Sequence, residues 1–153
     1  MAGPWTLLFH QCVLGQLQRL KTAADKAVAK DAEAAAENAN VKLFAALAKL
    51  ILETVPGDPS KDEFRQGNTM GADYRHWRRA KFGRRFRLFF RYDSQSKVII
   101  YAWVNDDKTL RTAGGKNDPY AVFKKMLTHG NPPDDWQALL AQSGQWGNFP
   151  DKG

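Results

Sequence analysis

At Trp77 the spacing of apolar residues changes from helical to strictly alternating, and this switch constrains the fold more than any other feature of the chain. Across 77–82, Ala80 and Phe82 alternate with Arg79 and Lys81. Across 85–92, Phe86, Leu88, Phe90 and Tyr92 alternate with Arg85, Arg87, Phe89 and Arg91. A period of two marks half-buried strands, and Gly83 sits where the two would turn. Parity then restricts the turn. Residues facing each other across an antiparallel pair share a face, so even positions must meet even positions. A two-residue loop at Gly83-Arg84 would set Phe82 against Arg85 and every apolar side chain against a charged one. The loop must hold an odd number of residues, and three is the natural choice. In that register Arg79, Lys81, Arg85 and Arg87 converge on one surface, which is costly unless an anion or a partner's carboxylates neutralise them.

The same stretch carries the basicity of the whole protein. Arg75, Arg78, Arg79, Lys81, Arg84, Arg85, Arg87 and Arg91 stand in it without one carboxylate, whereas the rest of the chain holds 15 Lys/Arg against 16 Asp/Glu. Trp77, Phe82, Phe86, Phe89 and Phe90 are interleaved with them. Cations among aromatics suit a phosphate backbone, because each neutralised phosphate releases condensed counterions. A merely solvated charge run is the competing interpretation, and the absence of interspersed acids speaks against it.

Before the switch the pattern is helical from Trp5 to about Val55. Phe9, Val13, Leu17 and Leu20 recur at helical spacing, as do Val41, Phe44, Leu47, Ile51 and Val55. The Ala-rich stretch 23–39 has high helix propensity, and 37–40 is the best place for a break, giving a hairpin of two helices. The Ala-rich part is either solvated helix or a surface for a partner. Pro56-Gly57-Asp58-Pro59 stops the helix, and a polar loop without period runs to residue 76 beside the basic stripe. Residues 97–105 form a third strand, with Val98, Ile100, Ala102 and Val104 on one face and Ile99, Tyr101 and Trp103 on the other. Apolar residues on both faces mark a central strand. Asp118 caps a helix with Pro119 in its first turn, and Trp136, Leu139 and Leu140 belong to a short last helix. These elements predict an α+β fold: N-terminal helices on a small antiparallel sheet with a C-terminal helix, one domain over 1–142, and a poorly ordered tail over 143–153.

At 153 residues the chain is long enough to bury a real core. A single cysteine, Cys12, fits a reducing compartment and reads as a small buried apolar residue. No basic region precedes the apolar Trp5–Phe9, so no secretory signal is expected, nor a membrane span; the expectation is a soluble cytoplasmic protein. His10, His76 and His129 are far apart and no metal-ligand spacing occurs, so no metal or cofactor is expected. Gly114-Gly115-Lys116 lacks the remaining residues of a phosphate loop.

Cation chemistry remains. Cleaving an RNA phosphodiester needs no metal if the adjacent 2′-hydroxyl attacks; the protein must orient it, stabilise charge on phosphorus and manage two protons. Arg79, Lys81, Arg85 and Arg87 are the candidate catalytic residues, with Lys81, crowded by cations, suited to proton transfer. Arg111 and Tyr120 join them if the loop after the third strand reaches the same face; for Tyr120 the alternative is an aromatic packed in the core. Arg75, Trp77, Arg78, Arg91 and Lys116 complete a candidate RNA-binding set. For Trp77 and Trp103 a place in the core competes with base stacking, and for Asp106 and Asp107 turn formation is the simpler role. A non-catalytic nucleic-acid-binding module and a basic scaffold for an acidic partner stay open as other classes.

Four blocks occur in order: Trp77-Arg-Arg-Ala-Lys-Phe-Gly, Arg85-Phe-Arg-Leu-Phe-Phe-Arg-Tyr, Trp103-Val-Asn-Asp-Asp-Lys-Thr-Leu-Arg-Thr and Asp118-Pro-Tyr-Ala-Val-Phe-Lys-Lys-Met-Leu. Together they closely resemble the YhaV family of bacterial toxins, within the RelE-like ribonucleases of type II toxin–antitoxin modules. The likeness runs from Trp77 to Trp136 and is weaker in the N-terminal half. It implies helices on one face of the sheet and a catalytic surface on the other. It also implies mRNA cleavage, free or on the ribosome, that halts translation. A cognate PrlF-like antitoxin would neutralise the toxin, and the complex would act on operator DNA. The positions matching the family's catalytic surface are Arg79, Lys81, Arg85, Arg87, Arg111 and Tyr120. Ala113 departs from the pattern, since some relatives carry a Tyr after Leu-Arg-Thr; this shifts weight to Tyr120 for proton transfer.

Overall fold

A strand, not a helix, opens the fold. The computed structural model describes residues 4–146. Within it, β1 (Thr6–His10) lies parallel to β4 (Val98–Val104), pairing Thr6 with Val98 and Phe9 with Tyr101. The helical expectation for Trp5–Phe9 is thus corrected. A short apolar run has no decisive period, and the open edge of a central strand decides its state. His10 ends the strand and caps helix α1 (Gln11–Lys30): its Nδ1 accepts from the Cys12 amide at 3.0 Å, and its Nε2 donates to Gln142 Oε1 at 2.8 Å. The backbone donor fixes the imidazole tautomer.

Asp31 caps a single turn, α2 (Ala32–Ala35), and Asn38 caps α3 (Ala39–Lys49), each through its side-chain oxygen. The hairpin break expected at 37–40 is there, with a second one at Asp31. The distal end of the hairpin is exposed, including Val28. From α3 the chain runs through a π turn, Leu50–Thr54, into α4 (Val55–Gly57).

Two further strands complete the antiparallel part. They are β2 (Arg78–Phe82) and β3 (Phe86–Asp93), followed by β4, and the sheet order is β2-β3-β4-β1-β5, where β5 is Ser143–Gly144. Residues 143–146 are therefore not a loose tail: Ser143 and Gly144 pair with β1, and Trp146 meets Phe9 edge-on at 6.3 Å. Residues 147–153, the rest of that expectation, lie outside the described residues. In β4 the expected alternation holds as far as Ala102. There a bulge lets Phe89 face Trp103 while Phe90 faces Tyr101, so Trp103 shares the face of Ile100 and Val104 turns to the other.

The sheet is covered on both faces. α1, α3 and the π turn bury Val13, Leu17, Leu47 and Ile51 against Leu88, Phe90 and Tyr101. Helices α5 (Pro119–Thr128) and α6 (Trp136–Ala141) bury Phe123, Leu127 and Leu139 against Trp77, Phe89 and Trp103 on the other face. Each such apolar side chain contributes about 1.5–3 kcal/mol by leaving water. The fold is α+β as expected, but the second face is mostly occupied by α5 and α6, which leaves its outer end, beside β2, for a site. Among the described residues no helix is long and apolar enough to cross a membrane.

The 56–76 segment is anchored. Phe64, Gln66 and Met70 are buried, Phe64 meets Phe90 edge-on at 5.5 Å, and Arg65 forms a bridge to Arg78 on the outer edge of β2.

Candidate nucleolytic site

The hairpin has the register that parity demands: Phe82 faces Phe86, Lys81 faces Arg87, Arg79 faces Phe89, and three residues, 83–85, make the turn. Gly83 and Arg84 both adopt left-handed backbone, at φ +54° and +66°. Arg85 is held by the loop after β4, its Nε donating to Arg111 O and its Nη2 to Thr112 Oγ1, both at 3.0 Å.

Tyr120 is the hub. It stands in the first turn of α5, 4% exposed, with its ring edge-on to Phe89 at 5.5 Å. Its hydroxyl accepts from Arg79 Nε at 2.7 Å and from Arg87 Nε at 3.1 Å. The Arg111 guanidinium lies over the ring at 4.7 Å. Arg87 is 6% exposed, and its Nη1 donates to the carbonyls of Arg84 and Phe86. Arg79 Nη1 donates to Glu63 O at 2.6 Å, tying the 56–76 segment to the site. A phenol oxygen has two lone pairs and one proton, so both acceptor positions are filled by guanidiniums.

Two residues missed by sequence reasoning as parts of the site hold it together. Asp118, 3% exposed, accepts from Tyr120 N, from Thr112 N and, at 2.8 Å, from Arg111 Nη1. It caps the helix and neutralises one guanidinium of the cluster at once. Asn105, 4% exposed, accepts from Arg87 N at 2.7 Å and donates to the carbonyls of Arg85 and Thr109. It staples the hairpin, the end of β4 and the following loop. The good N-cap at Asp118 was visible in the sequence; nothing marked Asn105.

Lys81 is exposed on the same face, across from Arg87, with no hydrogen-bond or ion-pair partner among the described residues. Arg79, Lys81, Arg85, Arg87, Arg111 and Tyr120 are thus brought together around one phenol and the end of one hairpin.

The wider set divides. Trp77 is fully buried, meets Phe123 edge-on at 5.0 Å and donates its indole N–H to Asp134 at 2.7 Å, so it offers no face for a base. Its place in the core corrects the expectation that it binds RNA. Arg91 is half-buried between Trp77 and Trp136, at 5.7 and 5.2 Å from the ring centres, and donates to Asp134 O. Burial pushes its guanidinium down against the opposing pull of Asp134 and Asp135. It clamps α6 and is likewise withdrawn. Arg78 lies on the reverse face of β2, over Tyr92 at 5.5 Å, and Arg75 donates from Nε to Asn68 Oδ1 at 2.7 Å, away from Tyr120. Lys116 is exposed in the loop between Thr112 and Asp118. Among the described residues no group of three or more His, Cys, Asp or Glu could hold a metal ion.

Such a surface presents fixed positive donors to an anion whose charge grows in a reaction, the arrangement phosphodiester cleavage requires. A match to the family model described as a toxin with endonuclease activity, of a toxin–antitoxin system, spans residues 7–144. The chain is 42% identical over 141 residues to the ribonuclease toxin YhaV of Escherichia coli K12, covering 91% of this chain and 92% of that protein. Toxin YhaV of Escherichia coli O6:H1 matches to the same extent. No solved structure matches significantly. A basic hairpin closed onto a tyrosine, in a chain alike along nearly its full length, places the protein in the YhaV family of toxin endonucleases of toxin–antitoxin systems.

Proposed function

We propose that this toxin cleaves mRNA without a metal ion, by attack of a ribose 2′-hydroxyl on the adjacent phosphorus, and so halts translation. The convergence of Arg79, Arg87 and Arg111 on Tyr120, beside an unpartnered Lys81, is the observation that carries this reading. A bond forms from the 2′-oxygen to phosphorus and the bond to the 5′-oxygen breaks, leaving a 2′,3′-cyclic phosphate. Arg85, with Arg79 and Arg111 at the rim, donates to the non-bridging oxygens as their charge rises. One such donor is worth about 10²–10³ in turnover. Arg87 and Tyr120 are too buried to meet the strand fully and act by fixing the outer guanidiniums. Lys81 hands a proton to the departing 5′-oxygen, and the 2′-hydroxyl proton passes to solvent.

In this reading the toxin acts in the cytoplasm, where it would meet message free or on the ribosome. The antitoxin that a toxin–antitoxin module supplies is of the PrlF kind, and together the two bind operator DNA. An antitoxin carboxylate over the guanidinium cluster would neutralise it as a phosphate does.

The test uses labelled RNA, free in EDTA or on ribosomes in magnesium buffer. Wild type should leave cyclic-phosphate ends in EDTA, and Lys81→Ala should lose most turnover. An RNA with sulfur in place of the scissile 5′-oxygen needs no proton on departure, so it should restore the Lys81→Ala rate. Absence of cleavage by wild type in both arms would sink the proposal; failure of the sulfur substrate to restore the rate would remove Lys81 as the acid.

A further inference from the structure

At the outer edge of β2, where Arg78 points away from Tyr120, lies a second basic concavity of about 440 Å³, lined by Arg65, Gly67, Asn68, Arg75, His76 and Arg78. No carboxylate among the described residues lines it. Arg65 has a looser ion pair with Asp62 at 3.5 Å between two exposed side chains, which water screens strongly. His76 is held from the side by Asp134 at 2.6 Å. Arg75 and Arg78 have no carboxylate partner among the described residues. Arg78 Nη1 is buried and has no acceptor among the described residues, a costly state for a guanidinium nitrogen. Asn68 spends its Oδ1 on Arg75, which leaves its amide hydrogens to donate.

We propose that this concavity is a phosphate subsite for the RNA backbone, one that the Tyr120 cluster does not contain. It rests on the nuclease reading above for its substrate. Arg78 and Arg79 are adjacent on the edge strand and point to opposite faces. The 63–65 segment touches both, through Glu63 O on Arg79 and the Arg65 bridge to Arg78. A strand crossing the β2 edge therefore meets the guanidinium cluster on one side and this concavity on the other. The cationic lining, with no carboxylate among the described residues that form it, fits a phosphodiester better than a peptide, whose carboxylates are sparser and less regularly spaced.

The probe is a fluorescent RNA oligonucleotide 2′-O-methylated throughout, which the proposed chemistry cannot cleave. Its binding is followed by anisotropy across a salt series, for wild type and for Arg65→Gln/Arg75→Gln. Both side chains are exposed, so the variant should fold; circular dichroism checks this. The variant should bind roughly tenfold more weakly, and the slope of log K against log salt should shrink by about 0.7 for each phosphate that the protein no longer neutralises. Equal affinity and equal slope would overturn the subsite, as would no measurable binding by wild type at low salt. So would a variant that keeps RNA affinity and loses only antitoxin affinity, since the concavity would then be a protein-docking site. Cleavage of the unmodified oligonucleotide is read in parallel. No cleavage of this oligonucleotide or of ribosome-bound message, with Arg65/Arg75-dependent binding, would sink the nuclease reading alone, and cleavage with unchanged binding would sink the subsite alone.

Discussion

Tyr120 shows how one hydroxyl can organise several charges. Arg79 and Arg87 both donate to it, from strands that face each other, and Arg111 covers its ring. Tyr120→Phe keeps the ring against Phe89 and removes only the acceptor. The buried Arg87 Nε is then left unsatisfied, which should cost about 1–3 kcal/mol in urea unfolding. Turnover in single-turnover cleavage should fall roughly 10²-fold, as when a preorganised donor is removed. Wild-type turnover in that variant would show that the phenol does not position the guanidiniums. At this scale the sequence was legible for Arg79, Lys81, Arg85 and Arg87, because alternation alone sorts them to one face. Trp77 and Arg91 misled because a basic-aromatic stretch looks the same whether its rings meet bases or pack under α5 and α6. Asn105 could not be found in this way: its three backbone partners lie on different segments that only the fold assembles.

The hairpin and the central strand carry the geometry that the residues use. A Cβ added at Gly83 would lie 3.1 Å from Phe86 Cδ2, and the residue's φ of +54° is one that side chains resist. Gly83→Ala should therefore lower stability by about 1–2 kcal/mol. A lower urea midpoint with unchanged slope would record it, and an unchanged midpoint would mean that the turn relaxes freely. On β4, Tyr101 is fully buried and donates to Ile51 O at 2.7 Å, joining the sheet to the π turn. Burial raises its pKa well above 10.0, so the folded state favours the neutral phenol. Its contribution is complete below about pH 10 and is lost as pH rises, once the unfolded chain can ionise and the folded one cannot. Tyr101→Phe should flatten the alkaline fall in melting temperature; an identical fall would assign it to other groups. The three-residue turn followed from parity in advance. The Ala102 bulge did not, since one extra residue in a strand leaves no mark in an apolar run.

In the whole molecule the sheet is closed by its two ends: β1 beside β4, and β5 beside β1. Truncation after Gln142 removes β5 and Trp146 and uncovers Phe9. A loss of about 1–3 kcal/mol follows from the exposed apolar surface, or several degrees of melting temperature by calorimetry. Cleavage below the melting point should persist, because the Tyr120 cluster is assembled elsewhere; an unchanged melting temperature would make the β5 pairing incidental. The strand at the N-terminus was illegible because its partner, β4, follows it by more than 90 residues. The same long reach has a consequence for the cell that makes the protein. Arg79 and Arg87 are synthesised 41 and 33 residues before the tyrosine that arranges them. A growing chain thus carries its cations for some time without the group that orders them. The ribosome building this toxin has read most of its coding sequence before the polypeptide it releases can hold an assembled Tyr120 cluster.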